Sequence, residues 1–218
     1  LIVRNALPGP GQWESGGLYV SNADGSERRK LTLGEDIDPS WSPDGESILF
    51  TRVFTDRPGV YVIDIDGSKE RRLVAAAEGA EWSPDGSSIV FAGDASSSIG
   101  VYDLENGRAR TVLSGLRWAC DPSWSPDGRR IAFTRLPPGS PRAPAGQMFT
   151  SRWEVYVVDV DGAHLTRLTR NNVEDSAPTW TPGGRITFTH ESRRYVMNPD
   201  GTGMSELRRS PGGTSSCS

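Results

Sequence analysis

The pentapeptide Trp-Ser-Pro-Asp-Gly sets the terms for how this chain can fold. It occupies Trp41–Gly45, Trp82–Gly86 and Trp124–Gly128, and a worn copy, Trp-Thr-Pro-Gly-Gly, occupies Trp180–Gly184. The copies start 41, 42 and 56 residues apart. A recurrent spacing of about 20–50 residues marks a repeat architecture, and the third gap is one period plus an insertion. Pro presets φ at the second position of a turn, Asp accepts the third, and Gly takes the left-handed position that follows. Each copy therefore reads as a tight reversal, a type I turn with a Gly bulge, joining two antiparallel strands. Four of the seven Trp residues stand at this one position. That points to a core layer between units rather than a ligand cage, with each buried indole N–H in need of an acceptor.

The segments between the copies are regular. After each turn comes an apolar strand: Ile48-Leu49-Phe50, Ile89-Val90-Phe91, Ile131-Ala132-Phe133 and Ile186-Thr187-Phe188. β-Branched and aromatic residues suit a pleated, half-buried surface. A variable loop follows, then a third strand that ends in a second turn, as in Val60–Gly67, Gly100–Gly107, Val155–Gly162 and Tyr195–Gly201. Asp-Gly and Asn-Gly between such strands are hairpin signals. A fourth, Arg-bearing strand suits an exposed edge, where charge discourages pairing with other chains. Four antiparallel strands in about 40 residues have the size of a propeller blade. The fold class expected is all-β, a β-propeller of four-stranded antiparallel blades in one domain over 1–218. A partial first blade spans 1–33, and full blades cover about 38–74, 79–113, 118–169 and 177–208. Five blades with improvised closure by residues 208–218 is the first expectation, and part of a six-bladed ring is the second.

The motif Asp-x-x-Trp-Ser-Pro-Asp-Gly, followed by Ile-x-Phe, Tyr-Val-x-x-x-Asp-Gly and Arg-x-Leu-Thr, resembles the TolB-type, WD40-like β-propeller repeat. The resemblance covers roughly residues 1–207. It implies the propeller fold and a scaffold that binds proteins or peptides over one face or in the axial channel. It also implies a periplasmic or extracellular location. Proteins of this type include the periplasmic propeller of the Tol–Pal system, the propeller domains of prolyl-oligopeptidase-like and tricorn-type peptidases, and many exported proteins. One fold hosts many functions.

Composition narrows the partner. The formal net charge is −4 and the isoelectric point about 5.3, so there is no basic excess to neutralise nucleic-acid phosphates. Charged residues make up 24% of the chain, mean hydropathy is −0.49, and no apolar run approaches the roughly 18 residues of a membrane span. The chain opens on Leu1 with no Met and no signal-like segment, which points to a removed leader or a cut chain. Cys120 and Cys217 give no metal spacing and no disulfide framework; one bridge and two free thiols both stay open.

Strand order puts the Pro-Asp-Gly and Asp-Gly turns at one end of the blades, which is expected to be structural. The links between blades and the loops between second and third strands lie at the other end, where variable loops on a rigid scaffold tend to carry function. Asp38 and Asp121 stand three residues before their Trp, each followed by Pro. Glu81 and Asp175 lie near the matching places, and Glu35, Asp36, Glu78 and Glu174 add charge. Because innermost strands line the axis, these carboxylates are candidates to ring the channel mouth and attract a cation or a basic peptide segment. Asp before Pro is also plain turn chemistry. No cofactor is expected; calcium is a candidate, though it needs about six to eight converging oxygens. The insertion Leu136–Arg152 holds four prolines, which stiffen it. Phe149, Arg152 and Trp153 are candidate partner anchors, or else they pack the loop back on its own blade. The loop Pro8–Trp13 occupies the same place in the first blade.

No Gly-x-Ser-x-Gly elbow is present. The histidines, His164 and His190, read as surface residues. Asp159-Val160-Asp161-Gly162 lacks the terminal Glu of a calcium loop. The function expected is a non-enzymatic scaffold that binds a protein or peptide. An enzyme's propeller domain, a peptidase accessory domain or a polysaccharide lyase, with His190 and channel carboxylates converging on a metal, is one alternative. An assembly protein that associates through incomplete blades is the other.

Overall fold

Each Trp-Ser-Pro-Asp-Gly segment, and the worn copy at Trp180–Gly184, closes the first hairpin of a four-stranded sheet, and with a three-stranded sheet ahead of them the described residues form five antiparallel sheets. The computed structural model of the chain describes residues 2–5, 17–93, 95–140 and 152–207. The first sheet has three strands, β1 (Ile2–Asn5), β2 (Leu18–Ser21) and β3 (Arg29–Lys30). The second contains β4 (Asp36–Trp41), β5 (Ser47–Arg52), β6 (Gly59–Asp64) and β7 (Arg71–Ala75). The third contains β8 (Glu78–Trp82), β9 (Ser88–Gly93), β10 (Ser98–Asp103) and β11 (Arg108–Leu113). The fourth contains β12 (Cys120–Trp124), β13 (Arg130–Arg135), β14 (Glu154–Asp159) and β15 (Thr166–Arg167). The fifth contains β16 (Asp175–Trp180), β17 (Ile186–His190), β18 (Arg193–Met197) and β19 (Ser205–Glu206). Strands follow one another in chain order within every sheet, and there is no helix among the described residues.

The turns are held by a hydroxyl and a carboxylate. Ser42 Oγ accepts from Ser47 N at 2.9 Å and donates to Asp44 Oδ1 at 2.5 Å, while Asp44 Oδ1 also accepts from Glu46 N at 3.0 Å. Ser83 with Asp85, and Ser125 with Asp127, repeat the clasp. Gly45 (φ 75°), Gly86 (φ 73°) and Gly128 (φ 67°) take the left-handed position, as only a residue without Cβ does cheaply. These hydrogen bonds, Ser first, hold the Asp44, Asp85 and Asp127 carboxyls below the ordinary carboxylate range.

Successive sheets pack face to face around an axis. Leu18 and Val20 meet Ile48, Phe50, Tyr61 and Ile63. Leu49, Val60 and Val62 meet Trp82, Ile89 and Phe91. Val90, Ile99 and Val101 meet Trp124, Ile131 and Phe133. Ala132, Val155 and Val157 meet Trp180, Ile186 and Phe188. The repeat indoles are therefore seam residues. Trp82 Nε1 donates to the carbonyl of Ser40 in the preceding sheet at 3.3 Å, and the Arg130 guanidinium lies 5.0 Å above the Trp180 ring. Innermost strands β4, β8, β12 and β16 neighbour one another in that order. Residues 208–218, the candidate closure, lie outside the described residues.

One seam face departs from the pattern. Phe50 stacks on Tyr61 at 5.6 Å, Phe133 on Tyr156 at 5.8 Å, and Phe188 tilts against Tyr195 at 6.1 Å. In the third sheet the residue opposite Phe91 is Gly100. A Cβ there would lie 2.3 Å from Phe91 Cζ, so the Phe91 ring fills the place that a tyrosine takes elsewhere.

Candidate functional site

Every innermost strand breaks register just above its Trp. The shifts fall between Ile37 and Ser40, Glu78 and Glu81, Cys120 and Ser123, and Ser176 and Thr179. Inside each lies one residue with left-handed φ: Asp38 (50°), Gly79 (57°), Asp121 (49°) and Ala177 (49°). Such a bulge leaves ladder groups unpaired and turns a side chain aside. Pro39, Pro122 and Pro178 come next, and a residue with no N–H suits a point where the ladder is interrupted. Asp-Pro at these positions is bulge chemistry within the strand, not a turn before it. Aspartate tolerates left-handed φ better than most residues.

The bulges gather three carboxylates from three successive sheets. Asp38 is mostly buried, and its Oδ2 has no hydrogen-bond partner. Its carboxyl is pushed up to about 6, first by burial and then by the charges of Asp121 and Glu78. Glu78 Oε1 accepts from Ser96 Oγ at 2.6 Å. Asp121 Oδ2 reaches the next bulge and accepts from Ala177 N at 3.3 Å. Glu81 lies further along the same strands, where its Oε1 accepts from Trp124 N at 3.1 Å and Ser123 Oγ at 3.4 Å. Burial raises Glu81 to about 7 against those stabilising bonds. A recess of about 130 Å³ beside Glu78 is lined by Ala77, Ala92 and Ser96. Among the described residues no group of three or more His, Cys, Asp or Glu is disposed to hold a metal ion. The three carboxylates therefore gather negative charge at the bulges.

Asp175 does not join this group. It is fully buried in the seam between the fourth and fifth sheets, where Oδ1 sits 2.6 Å from His190 Nδ1 and Oδ2 accepts from Asn171 Nδ2 at 2.7 Å. His190 lies edge-on to Tyr195 at 4.9 Å. His190 therefore meets Asp175, one of the candidate carboxylates, as a pair across neighbouring strands of the fifth sheet. Asp36, expected only to add charge nearby, has the equivalent role in the second sheet: Arg52 donates to it from Nε at 2.7 Å and Nη2 at 2.9 Å. Arg52 also bridges to Glu70 at 2.7 Å. Trp153 is 7% exposed and packs on Cys120 and Leu136, so it seals its own blade rather than standing out as an anchor. Cys120 is disulfide-bonded. Arg152 is exposed; Phe149, Cys217 and the loop Pro8–Trp13 lie outside the described residues. At the turn end, His164 is exposed beside Asp159 at 2.7 Å. A cavity of about 450 Å³ opens there between the third and fourth sheets, near Asp85, Asp103, Arg108 and Trp124.

A model of the TolB beta propeller domain matches residues 11–145. The chain belongs to the TolB β-propeller family. The Tol-Pal system protein TolB of Anaeromyxobacter dehalogenans (strain 2CP-1) is 31% identical over 174 residues, which cover 79% of this chain and 27% of that protein. An uncharacterised protein of Agrobacterium fabrum is 29% identical, covering 56% of this chain and 47% of that protein. The chain thus spans only a part of the curated relatives it matches. Among solved structures, TolB from Acinetobacter baumannii superposes with a TM-score of 0.73 at 20% identity, covering 94% of this chain and 52% of that one. An oligogalacturonate lyase in complex with manganese gives 0.62 at 18% identity, covering 81% and 53%. At such identities the likeness is one of fold.

Within this TolB-type propeller, two features escaped the sequence reading. Glu78 reads in the sequence as added charge, and in the structure its charge acts on Asp38 from the neighbouring sheet. Arg52 was not singled out, although Phe50-Thr51-Arg52, Phe133-Thr134-Arg135 and Phe188-Thr189-His190 repeat a cationic or imidazole side chain two places after the seam Phe. The Arg135 guanidinium lies 4.9 Å over Tyr156, as Arg52 lies 4.7 Å over Tyr61.

Proposed function

We propose that this TolB-type propeller is a non-enzymatic scaffold in the periplasm or outside the cell, and that it binds a polypeptide at the link end. A basic segment of the partner enters the axial mouth. The observation that carries this reading is Asp38: a mostly buried carboxylate with an unpartnered oxygen, held among Asp121 and Glu78. A lysine or arginine approaching it relieves a repulsion already present in the free protein, and a one-sign cleft draws such a group in. Relatives that carry the name Tol-Pal system protein TolB support a role in protein association.

The test compares two short peptides that differ only in carrying Lys or Glu, titrated into the protein at low and raised salt. The basic peptide is expected to bind, and to weaken with salt as charge-steered contacts do. The double variant Asp38→Asn/Asp121→Asn is expected to lose about tenfold in affinity or more. Equal binding of both peptides, or an unchanged affinity in the double variant, overturns the reading.

A further inference from the structure

The outer part of the seam between the first two sheets presents a second surface, away from the axis. Leu33, in the link that leads to β4, is 87% exposed, and Phe54, in the loop after β5, is 91% exposed. Both line a cleft of about 550 Å³ whose other walls include Thr32, Ile63, Arg52 and Glu70. Scattered apolar residues on a surface need no explanation, but these two stand over one cavity. Phe54 also holds φ at 50°, a conformation that a bulky side chain rarely takes. Strain of that kind points towards function when nothing in the free molecule offsets it, and an exposed ring recovers no burial. The residues at the same offset from the seam Phe in the other sheets are Ala95, Pro137 and Ser192, so the ring is particular to this seam.

The charge of the cleft chooses the partner. Arg52 is already bound on both sides by Asp36 and Glu70. Glu35 lines the cleft as well and is exposed. The lining carboxylates Glu35 and Glu70 thus outnumber the one lining guanidinium, whose charge the buried Asp36 already meets from behind. Arg29, near Gly67 at the far end, is committed to the carbonyls of Ile65 and Asp66.

We propose that this cleft docks an extended peptide segment in which an apolar side chain seats between Leu33 and Phe54 and a neighbouring Lys or Arg meets Glu35 and Glu70. The proposal rests on the reading of the propeller as a polypeptide binder, but it uses a surface separate from the axial mouth. Burial of the two apolar side chains supplies the attraction, and the acidic wall supplies the orientation.

The test uses three dye-labelled peptides: one with a central Leu flanked by Lys, one with Ala for that Leu, and one with Glu for both Lys. Fluorescence anisotropy reads their binding to the intact protein and to the pair variant Leu33→Ser/Phe54→Ser. Both positions are exposed, so circular dichroism should match the parent. The first peptide is expected to bind best. Its affinity is expected to fall at least tenfold in the pair variant and to survive Asp38→Asn/Asp121→Asn. No binding by any peptide, or binding untouched by the pair variant, overturns the proposal. Loss of binding only in the axial double variant overturns it too, while leaving the axial reading in place. A dimer in solution that Phe54→Ser converts to monomer would assign the cleft to a second copy of the chain and overturn the peptide assignment.

Discussion

Asp36 and Asp38 lie two residues apart on one strand and have opposite fates. The Asp36 side chain is 0% exposed and is gripped by a two-pronged guanidinium that rests on the Tyr61 ring. Asp38 sits in the bulge with one oxygen unpartnered and two other acids for company. Burial alone does not decide what a carboxylate does; the counter-charge does. Acids in the seams, Asp36 and Asp175, are structural because each was given a partner. Asp38 keeps one oxygen without a hydrogen-bond partner, so its electrostatic demand is still open to an outside group.

The largest effect expected on this contrast comes from removing a seam partner. Arg52→Leu leaves Asp36 buried without its cation, and breaking such a pair costs about 3–5 kcal/mol. Urea unfolding measures it, and a loss below about 1 kcal/mol would erase the distinction between the two sites. The opposite sign is expected at the axis. The folded-state pKa of Asp38, about 6, lies above its ordinary value of 3.8. Between those two values the folded protein holds more protons than the unfolded chain, so stability falls as pH rises through the window. Asp38→Asn removes that loss and keeps a residue suited to left-handed φ. It should stabilise the protein at pH 8 by on the order of 2 kcal/mol and make little difference below about pH 4. A destabilised variant at pH 8 would mean that Asp38 is partnered after all. The smallest effect separates causes. Burial is the leading cause of the Asp38 shift and Asp121 comes second, so Asp121→Asn should lower the Asp38 pKa by less than about one unit. Carbon-detected NMR titration of the carboxyl reads this directly; a fall to the ordinary value would make mutual repulsion the main cause.

The repeat period, the turn chemistry and the strand order were legible because each is local: Trp41, Pro43 and Gly45 announce a hairpin wherever they stand. The seam role of the tryptophans followed from one indole per unit. The bulge was not legible, since a register shift is a property of two strands and Asp38-Pro39 looks the same in a loop. Distances from the Trp were available and sort the acids better than proximity did: Asp38 and Asp121 are three residues before it, Glu81 one, and Asp36 and Asp175 five. Gly100 opposite Phe91 was visible as a residue, but its meaning needed the neighbouring strand's register. Trp153 misled because an aromatic in a Pro-rich insertion looks available, whereas Cys120 and Leu136 cover it. Phe54 gave no signal at all, because whether a loop ring is covered depends on the path of the loop.

The hydroxyl–carboxylate clasps at the hairpins have a consequence for life in acid. Asp44, Asp85 and Asp127 ionise more readily than an ordinary aspartate, whereas Asp38 and Glu81 take up protons near pH 6 and 7. Mild acidification therefore neutralises Asp38 and Glu81 before it loosens the hairpin clasps. A cargo held there by charge would be let go by a protein whose frame is still shut.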